Sequence, residues 1–107
     1  MQCLYDLRLG ILKALASETR LHILDLLNKG ELTVCEIADA LKANQSTISC
    51  HLNTLRASGL VATRKEGTRV YYALADKTVI EMLELLDELL KAQCLTRGEI
   101  LELRVFD

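Results

Sequence analysis

A chain of 107 residues, half of them apolar and with no stretch of about 18 apolar residues in a row, is sized for one small domain without a membrane span. One Phe, three Tyr and no Trp or Pro leave an aliphatic composition that favours helices, and the N-terminus lacks a secretory pattern, so a cytoplasmic protein is expected. The net charge of −2 argues against nucleic acid only as a sum, because residues 42 to 73 carry Lys42, Arg56, Arg64, Lys65 and Arg69 against Glu66 alone.

In chain order, Leu4, Leu7, Ile11, Leu12 and Leu15 recur at helical spacing and predict a first helix from about Tyr5 to Ala16. Ser17 caps a second, apolar through Leu21, Ile23, Leu24, Leu26 and Leu27, which Asn28-Lys29-Gly30 stops. Thr33 and Glu36 form a capping box that opens a third helix with Val34, Ile37, Ala38 and Leu41 inward. Cys35 falls in its first turn, off the apolar stripe.

The short link Lys42-Ala43-Asn44 leads to a fourth helix over Gln45 to Arg56, with Asn44 as its cap. At about 100° per residue, Ile48, Leu52 and Leu55 share one arc while Ser46, Cys50 and Asn53 lie opposite. One face packs and the other is small and polar, which predicts a helix-turn-helix whose second helix enters a DNA groove. Gln45, Ser46, Thr47, Ser49, Cys50, His51 and Asn53 are the candidate groove residues.

Gly59 ends that helix, and residues 60–65 and 69–74 read as two strands turning at Glu66-Gly67-Thr68. With Arg64, Lys65 and Arg69 around its tip, the hairpin is a wing, and together with Lys42 and Arg56 these are the candidate phosphate or minor-groove contacts. A last helix from about Lys77 to Ala92 carries more apolar surface than one small domain needs, so it is expected to pair with its own copy, helped by the first helix. The expected architecture is mainly α, with about five helices and a two-stranded wing. Residues 1–94 make the domain, and residues 95–107 form a tail in which Leu101, Leu103 and Val105 alternate with polar neighbours as in a strand or a short helix.

Cys3, Cys35, Cys50 and Cys94 are scattered, with no CxxC pair, and are expected to be reduced. Two to four converging thiolates would suit a soft ion such as trivalent arsenic or antimony, cadmium or lead. A pair of them would equally suit thiol redox or polysulfide chemistry. An enzyme is the least expected class: there is no Gly-rich phosphate loop and no HExxH, and the neighbours Cys50 and His51 diverge on a helix. A winged-helix module that binds a protein instead of DNA is the remaining alternative.

The blocks Ala14-Leu15-Ala16-Ser17-Glu18-Thr19-Arg20-Leu21, Gly30-Glu31-Leu32-Thr33-Val34-Cys35-Glu36, Gln45-Ser46-Thr47-Ile48-Ser49-Cys50-His51-Leu52 and Arg69-Val70-Tyr71-Tyr72 make the chain resemble the ArsR/SmtB family of metal-responsive repressors over roughly residues 5 to 92. The resemblance implies a homodimer held on operator DNA until an inducer releases it. Arsenite-responsive members carry Glu-Leu-Cys-Val-Cys-Asp-Leu-Cys where this chain has residues 31–38, so only the middle thiol is kept, as Cys35, and Thr33 and Ala38 replace the others. That local three-thiol site cannot form. In relatives with a site at this helix the N-terminal segment of the other subunit contributes, which implies Cys3 as a partner for Cys35, with Cys50 as a further candidate and Cys94 as a lesser one.

Overall fold

The computed structural model describes residues 2–97, the side chains of 94–97 excepted. Five helices and one hairpin follow in the order α1 (Gln2–Leu15), α2 (Glu18–Asn28), α3 (Val34–Leu41), α4 (Gln45–Ala57), β1 (Val61–Glu66), β2 (Arg69–Leu74) and α5 (Lys77–Arg97). This is a winged helix-turn-helix.

Each helix start has a local cause. Ser17 and Asn44 take extended backbone and accept from the amides of Arg20 and Ser46, which satisfies donors that a first turn leaves open. At Thr33 the capping box closes in both directions: the Thr33 hydroxyl accepts from the Glu36 amide, and the Glu36 carboxylate accepts from the Thr33 amide at 2.9 Å. Between α3 and α4 the chain reverses through Lys42, whose φ of 54° is the left-handed value usually reserved for glycine or asparagine.

Ile23, Leu24, Ile37, Ile48, Leu52 and Leu55 are fully buried, so α2, α3 and α4 supply the centre of the core. Leu60, Val61, Val79 and Leu83 extend it under the wing and onto α5. The strands pair antiparallel with Val61 opposite Leu74 and Glu66 opposite Arg69. A two-residue turn joins them, and Gly67 at its first position, with φ of 62°, supplies the positive dihedral that this kind of hairpin demands.

Three details differ from the sequence expectation. α1 starts at Gln2, three residues before Tyr5, and α5 runs on to Arg97, past Ala92. Helical propensity does not fall at either point, and no Gly or Pro intervenes before Gly98. Leu32 forms a backbone bridge with Tyr72, each amide donating to the other's carbonyl, so the loop before α3 acts as a third, one-residue edge of the wing. The alternating segment after Gly98 lies outside the described residues.

Candidate nucleic-acid interface

The polar face of α4 is outward. Gln45, Ser46, Thr47, Cys50, Asn53 and Arg56 are exposed, while Ile48, Leu52 and Leu55 on the opposite arc are sealed in the core. This orientation follows from the sequence period alone, since burying three apolar residues stabilises by about 1.5–3 kcal/mol each and a rotated helix would forfeit that. Ser49 and His51 flank the face and are half-buried.

Two of the candidate groove residues are already engaged within the protein. Gln45 Nε2 donates to Cys35 Sγ at 3.1 Å, so the first residue of α4 is held against the first turn of α3. His51 Nδ1 accepts from Arg20 Nε at 3.2 Å, which commits that nitrogen to the interior side and leaves the ring proton on Nε2. Arg20 was legible in the sequence only as part of a helix start; its reach of 31 residues along the chain was not.

The basic residues divide similarly. Lys42, Arg56, Lys65 and Arg69 are exposed, with Lys42 at the turn and Lys65 and Arg69 near the wing tip. Arg64 is exposed too, but its guanidinium pairs with Glu31 in the loop before α3, donates to Glu66 at 2.8 Å and lies over the Tyr71 ring at 4.8 Å from the centroid. Those hydrogen bonds raise the Arg64 pKa, and the same bond from Arg64, more than its charge, lowers that of Glu31. Arg64 is therefore a brace between wing and loop, and its charge is compensated before DNA is considered. The pairing with Glu31 cannot be read from the sequence, because the two residues are 33 apart along the chain.

Cys3, Cys35 and Cys50 are free, exposed thiols on α1, α3 and α4. The side chain of Cys94 lies outside the described residues. Cys35 opens onto a cleft of about 530 Å³ between the start of α3 and the wing, lined also by Thr33, Val34, Glu36, Thr68, Arg69 and Val70. Beside Cys35, Glu36 has a lowered pKa, first through the Thr33 amide and hydroxyl that donate to it and then through the charge of Arg69 on the wing side. Among the described residues of one protomer, no three His, Cys, Asp or Glu side chains converge as a metal site would require.

The outer faces of α1 and α5 are apolar and uncovered. Exposure runs from 46% at Leu86 to 64% at Leu7, with Leu4, Tyr5, Leu9, Leu12, Leu85 and Leu89 between. No described helix is long and apolar enough to cross a membrane.

Comparison with known proteins converges on one group. The family model described as bacterial regulatory protein, arsR family, matches residues 17–63. An uncharacterized HTH-type transcriptional regulator of Methanocaldococcus jannaschii is 48% identical over 86 residues, 79% of this chain and 97% of that protein. The transcriptional activator HlyU of Vibrio cholerae is 48% identical over 79 residues, 74% of this chain and 73% of that one. In three dimensions the chain is similar to a homodimeric winged helix-turn-helix DNA-binding domain of Mycobacterium bovis, a possible ArsR-family transcriptional regulator. The TM-score is 0.79 with 41% identity, covering 84% of this chain and 83% of that one.

Proposed function

Since the chain belongs to the arsR family of bacterial regulatory proteins, a family of DNA-binding transcriptional regulators, we propose that it is a homodimeric repressor released from its operator by a thiol-directed inducer. Two copies pair through the uncovered apolar faces of α1 and α5. Lys42, Arg56, Lys65 and Arg69 meet phosphates and position the dimer, and Gln45, Ser46, Thr47, Ser49, Cys50 and Asn53 read base edges.

The observation that carries the inducer reading is the hydrogen bond from Gln45 Nε2 to Cys35 Sγ. The thiol lies directly against the first residue of the reading helix. When Cys35 is drawn toward a soft ion or covalently changed, the acceptor that Gln45 meets moves or changes its chemistry, and the contact that fixes the leading side chain of α4 shifts with it. An inducer acts by preferring the DNA-free conformation, a coupling of typically about 1–3 kcal/mol. Because one subunit lacks a converging ligand set, a soft ion would be completed by Cys3 of the partner subunit, with Cys50 as a further thiol. The second reading is thiol chemistry with an external reagent: an oxidant takes two electrons from Cys35 and one other thiol to join them as a disulfide, or the Cys35 thiolate attacks a polysulfide, whose S–S bond breaks and releases the shortened polysulfide, leaving Cys35 as a persulfide.

Titration of arsenite, cadmium and polysulfide against DNA-bound protein tests this. Release by at least one of them is expected in the wild type and is lost in Cys35→Ser. Retained release in Cys35→Ser that disappears in Cys50→Ser would move the sensing thiol onto the groove face itself. If none of the three releases DNA, the inducer reading is wrong.

A further inference from the structure

We propose that Arg20 is a positioning residue that locks the reading helix α4 to the helix α1, and so sets the spacing between the two reading helices of the dimer. This rests on the DNA-binding dimer described above and adds the element that fixes its geometry.

Arg20 lies in the first turn of α2 and is half-buried. Its Nε donates to His51 Nδ1 at 3.2 Å, in the middle of α4. Its Nη1 donates to the carbonyls of Lys13 at 3.2 Å and Ala14 at 3.3 Å. Both carbonyls belong to the last turn of α1, where a helix leaves its acceptors without their own i+4 donors and its dipole favours a cation. One planar guanidinium thus ties three helices together. Elsewhere α4 is held by Ile48, Leu52 and Leu55, which set its inward face, and by the Gln45 bond to Cys35 on α3; apolar contact is non-directional and leaves axial position to polar links, of which Arg20 is the one that reaches α1. A forked, charged donor is directional, and lysine cannot reproduce its geometry.

The consequence appears in the dimer. α1 carries much of the uncovered apolar face, whereas α4 carries the reading face. Two-fold pairing places the two reading helices in successive major grooves, about 34–36 Å apart, only if each keeps a fixed relation to its dimer helix. Arg20 is the polar link that holds that relation, and the interior commitment of His51 is its other half.

The test uses the full-length protein, a duplex sequence that it selects from a random pool, and variants of that duplex whose half-sites are moved apart or together one base pair at a time. Arg20→Met and His51→Leu are each expected to lower affinity for the original spacing by about tenfold and to flatten the preference among spacings. The double variant should be no weaker than either single one, because both remove the same interaction. His51→Asn, which keeps an acceptor at the place of Nδ1, should regain most of the affinity and the spacing preference. Base preference within each half-site should stay as in the wild type. Circular dichroism melts show which variants are folded, and if Arg20→Met is not, Arg20→Lys and the two His51 variants carry the same comparison. An unchanged spacing profile in folded variants, additive losses, or a preference altered at one base pair by His51→Leu would overturn the proposal. A wild type that selects no sequence would instead overturn the DNA-binding reading beneath it.

Discussion

Arg64 enters the wing as a cation already paired with Glu31 and Glu66, whereas Lys65 beside it has no ion pair among the described residues. Electrostatic affinity for DNA comes from counterions released when a protein cation replaces them on phosphate, so only an uncompensated cation contributes fully. Lys65→Ala should therefore lower affinity evenly across sequences and reduce the slope of log affinity against log salt by about 1. Arg64→Ala should leave that slope unchanged. A reduced slope for Arg64→Ala would show that the Glu31 pair opens to let the guanidinium reach the backbone. The difference between these neighbours was invisible in the sequence, where both are basic residues at a hairpin tip. It depends on a carboxylate 33 residues away from Arg64, brought alongside by the fold. The outward face of α4 was legible for the opposite reason: a 3.6-residue period places Ser46, Cys50 and Asn53 opposite Ile48 and Leu52 whatever the tertiary context.

At the level of elements, the entry to α3 matters most, because the Cys35 thiol, the Thr33–Glu36 box and the Leu32–Tyr72 bridge lie within five residues. The box was readable as Thr33 followed three residues on by Glu36; the bridge was not, since a single pair of residues leaves no alternating pattern. Thr33→Ala removes the side-chain acceptor of the cap and should destabilise the fold by about 1 kcal/mol in denaturant unfolding. The box also sets a pH dependence. The folded pKa of Glu36 lies below its unfolded value, so its contribution is complete above the ordinary carboxylate range near pH 4.3. It is lost as pH falls through the lowered folded value. Glu36→Gln should therefore be less stable than the wild type at neutral pH, with the gap closing in acid below that range. A gap that stays constant from pH 7 to pH 3 would contradict the assignment. Leu52→Ala, in the fully buried arc of α4, is expected to cost about 2–5 kcal/mol.

Across the whole molecule, the uneven distribution of apolar surface carries the most information. Among the described residues fourteen buried apolar side chains make a small core, yet Leu7, Leu12, Leu85 and Leu89 lie more than half exposed on two helices. The excess on the last helix was legible in its sequence because charged residues did not cover the whole face opposite Val79 and Leu83. How far α1 shares in it was not, since the period there is interrupted by Gly10 and the neighbouring helix cannot be foreseen. Leu12→Glu or Leu89→Glu places a charge in the proposed subunit contact, and sedimentation should show a monomer that keeps its helical circular dichroism. A charged variant that stays dimeric would put the contact elsewhere.

In the proposed repressor, α4 of each of two subunits reads one half of a two-fold DNA site. Selection from a random duplex pool, followed by affinity measurement across a range of salt, tests it most directly. The expected result is an enriched near-palindrome with half-site centres about one helical turn, 10–10.5 base pairs, apart, bound with an affinity that falls steeply as salt rises. No enrichment, with binding that is weak and indifferent to sequence, would contradict it.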